Sequence, residues 1–285
     1  ARLLIDEQQS SQAAQVLSDV VEADPSQSEA WILLARLRLK LGDPDQAIVV
    51  LHQILNGEDA ADRLVRDFIR EARSSGMLPR LIDAAKRSAA ANSGDAASAF
   101  LVASFLFASG SADEAEQACD AVVRDHPDFV PAVVLDAQIA LQRHDWQKAL
   151  EKAEAAIGRD ISSAALQGVV GQACVALGES QKAETAFLEA FRLDRDDPDP
   201  MFKLAEMHER AGEILRAENL YRRILDDVNP RYLPAREQLI RILLNTRKSK
   251  RAREYFEDFK RLGLTGAPVE RCRALMNLAE SKAPS

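Results

Sequence analysis

The sequence predicts an all-α fold, a solenoid of stacked antiparallel helix pairs, and three observations lead to this prediction. Glycines recur at a spacing of 34 residues, and small residues recur at the same spacing in two further phases. Between them, apolar residues follow helical spacing rather than alternation. A fixed period of this length is typical of stacked units that bury their apolar faces only against their neighbours. The 285 residues, of which 47% are hydrophobic, therefore predict one repeat array rather than two ordinary domains.

The glycine series marks the turn inside each predicted helix pair. A residue in the left-handed backbone region closes a helix, and glycine adopts that region without steric cost. We therefore expect the first helix of each pair to end at the glycine. The series consists of Gly42, Gly76, Gly110, Gly178 and Gly212, with His144 in the slot between Gly110 and Gly178.

The other two series explain how the paired helices approach each other. Small side chains let two helices pack closely, and larger apolar residues at helical spacing fill the remaining gaps. One series contains Ala13, Ala47, Ala115, Ala149, Ala183 and Ala217, and the other contains Ala35, Ala103, Ala137, Gly171 and Ala205.

This pattern resembles the tetratricopeptide repeat, in which a first helix, helix A, and a second helix, helix B, each carry small and large apolar residues at fixed positions. One copy reads Trp31, Leu34, Ala35, Gly42, Ala47 and Leu51, and a later copy reads Leu204, Ala205, Gly212, Ala217, Tyr221 and Ile224. The resemblance covers nearly the whole chain, but other residues, His208 among them, occupy the family's tyrosine position. It implies a right-handed superhelix of about seven repeats whose helices A line a concave face.

The repeat boundaries follow from the period. We expect one solenoid over 1–285, with a truncated first repeat at 1–27, full repeats at 28–231, a last repeat at 232–266 and a capping helix at 267–281. The last repeat fits the pattern only after a one-residue insertion near Asn229 and Pro230. The final helix would close the apolar end of the array, as terminal units of solenoids do.

The concave face that the resemblance implies would carry a basic zone followed by an apolar and amide-rich zone. Three arginines of the second full repeat share one helix face because they lie at i, i+4 and i+7. Arginine binds carboxylates in bidentate pairs. We therefore expect a protein-interaction scaffold or adaptor that binds a peptide or partner segment, an acidic one if the arginines contact it. The alternative is a solvated charged face. The expected contact residues are Arg36, Arg63, Arg66, Arg70, Arg73, Phe100, Ser104, Phe107, Gln138 and Gln172.

A second basic cluster opens helix B of the last repeat and predicts a weaker anion-binding site. Cations at a helix N-terminus oppose the helix dipole, and this local conflict favours an external anion. Nucleic acid is an alternative ligand for this cluster, although the net charge of −8 and the lack of interleaved aromatic residues count against it. A solubilising end of the chain is the simpler interpretation. The cluster consists of Arg247, Lys248, Lys250 and Arg251.

The sequence contains none of the common catalytic motifs. It has no HExxH pair, no glycine-rich phosphate loop and no GxSxG elbow, so we expect no enzyme activity, no cofactor and no metal in this chain. A regulatory repeat region of a larger enzyme remains an alternative. No apolar run reaches the roughly 18 residues of a membrane span. No signal-peptide pattern follows Ala1, which slightly favours a cytoplasmic location, and the excess of arginine over lysine favours a bacterial source.

Overall fold

The computed structural model describes residues 10–55, 61–159 and 161–281, with the side chains of 61–63, 280 and 281 excepted. These residues form sixteen α-helices and contain no β-strand, so the predicted all-α fold class is confirmed. The contacts divide the chain into two compact units, residues 1–143 and 144–285, and each unit is described by itself. Short turns join most consecutive helices, as expected for helix pairs.

The first unit contains eight helices among its described residues. They are α1 (Ser10–Ala23), α2 (Ser28–Lys40), α3 (Pro44–Leu55), α4 (Ala61–Ser74), α5 (Leu78–Ala91), α6 (Ala96–Ser109), α7 (Ala112–Asp125) and α8 (Val130–Gln142). Helix A packs on helix B within the pairs α2–α3 and α6–α7. The helices A also contact one another in order, α2 with α4, α4 with α6 and α6 with α8. Residues on these helices A can therefore share one surface.

The second unit also contains eight helices among its described residues. They are α9 (Trp146–Ile157), α10 (Ala164–Leu177), α11 (Ser180–Leu193), α12 (Asp199–Arg210), α13 (Ile214–Arg223), α14 (Leu233–Asn245), α15 (Ser249–Arg261) and α16 (Ala267–Ser281). The pairs are α10–α11, α12–α13 and α14–α15. Helix α16 occupies the segment predicted as a capping helix, packs against α14 and α15, and buries Cys272 and Met276.

The turns that end helices A share one geometry. After α6, Gly110 has a φ of 91°, and the N–H of Ser111 donates to the carbonyl oxygen of Leu106 at 3.0 Å. This bond satisfies a carbonyl that the helix end would otherwise leave without a partner. The other glycines of the predicted series also have positive φ values. His144 and Arg247 reach the same backbone region, at 63° and 58°, without being glycine.

The last repeat contains one extra residue, which the backbone accommodates in a π-helical turn. The interval from the turn at Gly212 to the turn at Arg247 is 35 residues, one more than the period. The π turn spans Ile224–Val228, and the N–H of Asn229 donates to the carbonyl oxygen of Ile224 at 2.7 Å. A π turn holds one residue more than an α turn. The insertion expected near Asn229 and Pro230 therefore lies immediately before them.

Small residues at the helix contacts have the packing role that the sequence predicts. Ala103 in the first unit and Ala217 in the second are completely buried. Gly171 in α10 allows the closest approach, because a Cβ there would lie 2.5 Å from Cε1 of the buried Phe187 in α11. Any residue larger than glycine at this position requires the Phe187 ring or one of the two helices to shift.

Candidate functional site

A cavity of about 260 Å³ lies between three helices A of the first unit, α4, α6 and α8. We call it the α4–α6–α8 cavity. Each helix contributes a stripe of side chains at i, i+4 and i+7, which is the spacing of residues on one helix face. Seven of the ten predicted contact residues line it, namely Arg66, Arg70, Arg73, Phe100, Ser104, Phe107 and Gln138.

The α4 side of the cavity is basic. Arg66 is half-buried, whereas Arg70 and Arg73 are exposed. Arg70 pairs with Asp67, one turn earlier, with 3.3 Å between Nη2 and Oδ1. An exposed pair of this kind contributes only about 0–1 kcal/mol, so a ligand carboxylate can compete for Arg70. Arg73 has no ionic partner among the described residues. Two guanidinium groups are therefore accessible at the cavity edge.

The α6 side of the cavity combines aromatic rings with a buried hydroxyl. Phe107 is half-buried, while Phe100 is only 4% exposed and packs edge-on against Phe129, with ring centroids 5.7 Å apart. Phe100 therefore forms the wall, and Phe107 presents its surface to the cavity. Ser104 is also 4% exposed, and its Oγ has no hydrogen-bond partner among the described residues. A buried hydroxyl without a partner costs about 1–3 kcal/mol, which a polar ligand group could recover.

Two of the other three predicted contact residues, Arg36 and Gln172, do not line this cavity. Nε of Arg36 lies 2.7 Å from Oε2 of Glu71 in an ion pair on the surface of the first unit. The side chain of Arg63 lies outside the described residues. Gln172 belongs to the second unit, where its amide donates to the carbonyl oxygen of Gly168 at 3.3 Å. The predicted contact residues therefore do not form one site, because Arg36 and Gln172 lie outside the α4–α6–α8 cavity.

The sequence prediction also omitted part of the cavity wall. Pro131, Leu135 and Gln142 of α8 line it together with Gln138. They lie at i, i+4 and i+11 of the same helix, so the spacing that selected the arginines of α4 would have found them. Leu135 is only 5% exposed and closes the apolar side.

The second predicted cluster, Arg247, Lys248, Lys250 and Arg251, surrounds an internal carboxylate that sequence reasoning missed. Nζ of Lys248 lies 2.6 Å from Oε2 of Glu218, and Nη1 of Arg251 lies 3.0 Å from Oε1. The Glu218 side chain is 5% exposed. Burial raises its pKa, but the hydrogen bond and charge of Lys248, with those of Arg251, outweigh burial and leave the pKa below its ordinary value. Glu218 therefore pairs with two of the four cations, Lys248 and Arg251. The other two, Arg247 and Lys250, are exposed.

Neither a metal site nor a membrane-spanning helix is present among the described residues. No group of three or more His, Cys, Asp and Glu side chains is arranged to hold a metal ion. Within the same residues, no helix is both long enough and apolar enough to cross a membrane.

Two tetratricopeptide repeat family models match the sequence, one at residues 4–67 and the other at residues 135–200. The chain therefore contains tetratricopeptide repeats in both segments. Such repeats act in general as scaffolds for protein interactions. None of the curated proteins gives a significant sequence match to this chain.

Solved structures show the same fold at low sequence identity. A tetratricopeptide repeat protein from Parabacteroides merdae is 15% identical with a TM-score of 0.58, and the match covers 89% of this chain and 98% of that one. Yeast Tom70 is 13% identical with a TM-score of 0.61, over 96% of this chain and 58% of Tom70. The APC/C hetero-tetramer Cut9–Hcn1 contains a chain that is 15% identical with a TM-score of 0.60, over 94% of this chain and 52% of that one. These similarities extend the tetratricopeptide fold beyond the segments that the family models match.

Proposed function

We propose that this chain is a non-catalytic scaffold that binds a peptide or partner segment in the α4–α6–α8 cavity. The segment would carry a carboxylate beside an apolar side chain. The observation that supports this proposal is the lining of the cavity, with arginines on α4 and aromatic, aliphatic and amide side chains on α6 and α8. Arginine forks match carboxylates, and an apolar anchor in a small pocket is the usual centre of a protein interface.

The size of the cavity favours a peptide side chain over a cofactor. Pockets for drug-sized ligands usually enclose about 300–1,000 Å³, whereas this cavity encloses about 260 Å³. An apolar side chain would contact Phe107 and Leu135, and a backbone or side-chain polar group would reach Oγ of Ser104. The carboxylate would bind Arg70 and Arg73 at the edge.

The fold is used for assembly in a similar protein. Cut9 forms a hetero-tetramer with Hcn1, so a helical array of this kind can hold a partner chain. The partner of the present chain is inferred only from its own cavity chemistry, an acidic and partly apolar segment.

Selection from a random peptide library tests the proposal. We expect the selected peptides to combine Asp or Glu with a bulky apolar residue. Their affinity, measured by fluorescence anisotropy, should fall by about tenfold or more in the double variant Arg70→Glu, Arg73→Glu, because each reversal repels the carboxylate. Arg80→Glu is the matched control, since Arg80 is an exposed arginine on α5 that does not line the cavity. Equal losses in both variants, or none in either, would remove the cavity from the proposal.

Nucleic-acid binding by the basic cluster of the last repeat has less support. Lys248 and Arg251 already neutralise Glu218, so only Arg247 and Lys250 are left for phosphate groups. Two phosphate contacts give weak binding with a small salt dependence.

A further inference from the structure

The second unit contains a wide surface groove of about 1390 Å³ along α11, which we call the α11 groove. Helices α9, α10, α11 and α13 line it, so most of its surface comes from helices B. The cavity proposed above is formed by helices A of the first unit. The two sites are therefore built from different elements, and the inference made for the α11 groove does not depend on the function proposed for the cavity.

One end of the α11 groove holds two arginines against one aromatic ring. Cζ of Arg195 lies 5.1 Å from the ring centroid of Phe191, and Cζ of Arg223 lies 5.6 Å from it. The ring is 8% exposed and belongs to the core of the second unit, so it is a fixed platform. Each stacking contact is a cation–π interaction that stabilises the guanidinium over the ring. It also restricts a long side chain that would otherwise move freely, which lowers the entropy cost of binding an anion.

Two cations elsewhere in the α11 groove make close ion pairs, and the two cations at this end do not. Arg192 makes a bidentate pair with Glu189, at 2.7 Å for both contacts, and Lys182 pairs with Glu154. Arg195 has no anionic partner among the described residues. The nearest carboxylate oxygen to Arg223 is that of Asp227, at 3.7 Å. Two like charges held near one ring repel each other unless an anion lies between them.

The surroundings of the two arginines favour an acidic peptide over a nucleic acid. Leu188 lies on α11 one turn before Arg192, it is 49% exposed, and Arg195 follows the end of the same helix. Leu188 offers an apolar contact to a peptide side chain, whereas a polyphosphate chain has no apolar group that could pack on it. Lys182 and Arg192, which also line the groove, are held by Glu154 and Glu189 and are not free to contact a continuous polyanion, which carries one charge per about 1.7 Å in duplex DNA.

We propose that the α11 groove binds an acidic peptide segment of a partner protein. Two carboxylates of the segment contact Arg195 and Arg223, and an apolar residue between them packs on Leu188. Phe191 is a positioning residue, because it holds both guanidinium groups and does not itself meet the carboxylates. The site adds a second docking surface to the scaffold.

The test uses the full chain with Arg70→Glu and Arg73→Glu introduced, so that the α4–α6–α8 cavity does not contribute. The probe is a fluorescein-labelled peptide, Glu-Asp-Leu-Asp-Glu, and its neutral analogue is Gln-Asn-Leu-Asn-Gln. Anisotropy at low ionic strength should show the acidic peptide binding about tenfold more tightly than the analogue. Adding Arg195→Ala and Arg223→Ala should remove that difference, whereas Arg192→Ala should change the affinity by less than about twofold because Arg192 is already paired.

A second variant separates positioning from folding. Phe191→Leu keeps an apolar residue in the core and both arginines on the surface, and it should weaken the acidic peptide by about threefold with helicity by circular dichroism unchanged. Equal binding of the two peptides would overturn the proposal, as would full retention of acidic-peptide binding in the Arg195→Ala, Arg223→Ala variant. A single-stranded DNA oligonucleotide that binds more tightly than the peptide and loses affinity in the same variant would assign the groove to nucleic acid instead.

Discussion

The two units place different residues at equivalent positions of the repeat. Ala103 in α6 and Cys119 in α7 lie two periods before Gly171 in α10 and Phe187 in α11. All four are buried. The second unit therefore accommodates an aromatic ring opposite a glycine, while the first unit has two small residues at the same positions. One repeat pattern thus permits two different packing solutions.

The units also differ in the way that they use charge. In the second unit, buried charged groups have close partners, as with Arg236 and Asp258, at 2.9 Å, or Glu218 and Lys248, at 2.6 Å. In the first unit, the arginines of α4 lie at the edge of a cavity. Charges that pair in the interior help to specify the fold, whereas charges at an open cavity remain available to a ligand. The difference predicts that removing a buried charge of the second unit will destabilise the protein, whereas removing a charge at the cavity edge of the first unit will weaken binding.

The largest expected effect is at Arg236. This side chain is 2% exposed and donates to the carboxylate of Asp258 at 2.9 Å and to the carbonyl oxygen of Pro230 at 2.6 Å. Arg236→Ala should lower the free energy of unfolding by about 3–5 kcal/mol, because it leaves a cavity and polar groups without partners. Urea denaturation followed by far-UV circular dichroism measures the change.

Arg271→Ala is the matched control for Arg236→Ala. Arg271 also pairs with a carboxylate, that of Glu237, but its side chain is 58% exposed. We expect a loss of less than about 1 kcal/mol. Arg236→Met should cost less than Arg236→Ala, because it preserves volume and Arg261 still pairs with Asp258 at 2.7 Å. If Arg236→Ala and Arg271→Ala lowered the free energy of unfolding by similar amounts, burial would not determine how much a paired arginine of the second unit contributes to stability.

The repeat frame could be predicted from the sequence because each element depends on local rules. The glycine series located the turns, including the slot that His144 fills at a φ of 63°. The resemblance to the tetratricopeptide repeat supplied the inward positions of helices A, and seven of the ten residues that it selected line one cavity. The charged partners of Arg236 and Glu218 could not be predicted from the sequence. They lie about 20 to 30 residues away on other helices, and the pairing depends on the directions of the side chains. The burial of Arg236 could have been predicted, because Arg236 occupies the repeat position that the buried Met201 occupies one lengthened repeat earlier.

The packing difference between the units predicts opposite effects for two glycines of α10. A Cβ at Gly171 would lie 2.5 Å from the Phe187 ring, whereas a Cβ at Gly168 would meet nothing within 4 Å. Gly171→Ala should destabilise the protein by about 1–3 kcal/mol through overpacking. Gly168→Ala should stabilise it by about 0.5–1 kcal/mol, because alanine favours the helix.

The double variant Gly171→Ala, Phe187→Leu sharpens this comparison. The smaller side chain makes room for the added methyl group, so the double variant should recover part of the stability that Gly171→Ala loses. Denaturation midpoints in urea provide the measurement for all three variants. A Gly171→Ala protein as stable as Gly168→Ala would contradict the view that the ring dictates glycine at position 171.

The smallest expected effect concerns the pH dependence of the two units. Glu218 in the second unit has a pKa below its ordinary value of 4.5, because Lys248 and Arg251 outweigh burial. Asp95 in the first unit has a pKa below its ordinary value of 3.8, because the hydrogen bonds from Ser98 and the charge of His52 likewise outweigh burial. A carboxylate whose pKa is lower in the folded state than in the unfolded state stabilises the protein at pH values above its unfolded-state pKa. This stabilisation is lost as the pH falls from the unfolded-state pKa through the folded-state pKa. The stability from Glu218 should therefore begin to fall near pH 4.5, and that from Asp95 only near pH 3.8.

Substitution of each carboxylate separates the two contributions. Glu218→Gln should lower the unfolding free energy by about 1 kcal/mol at neutral pH, and the difference from the unmodified protein should shrink as pH falls below 4.5. For Asp95→Asn, the difference should persist to lower pH because the ordinary pKa of aspartate is 3.8. Urea titrations at a series of pH values measure both curves. If the Glu218→Gln difference were independent of pH, the ionised carboxylate would not be what stabilises the last repeat, and Lys248 and Arg251 would be available to an external anion.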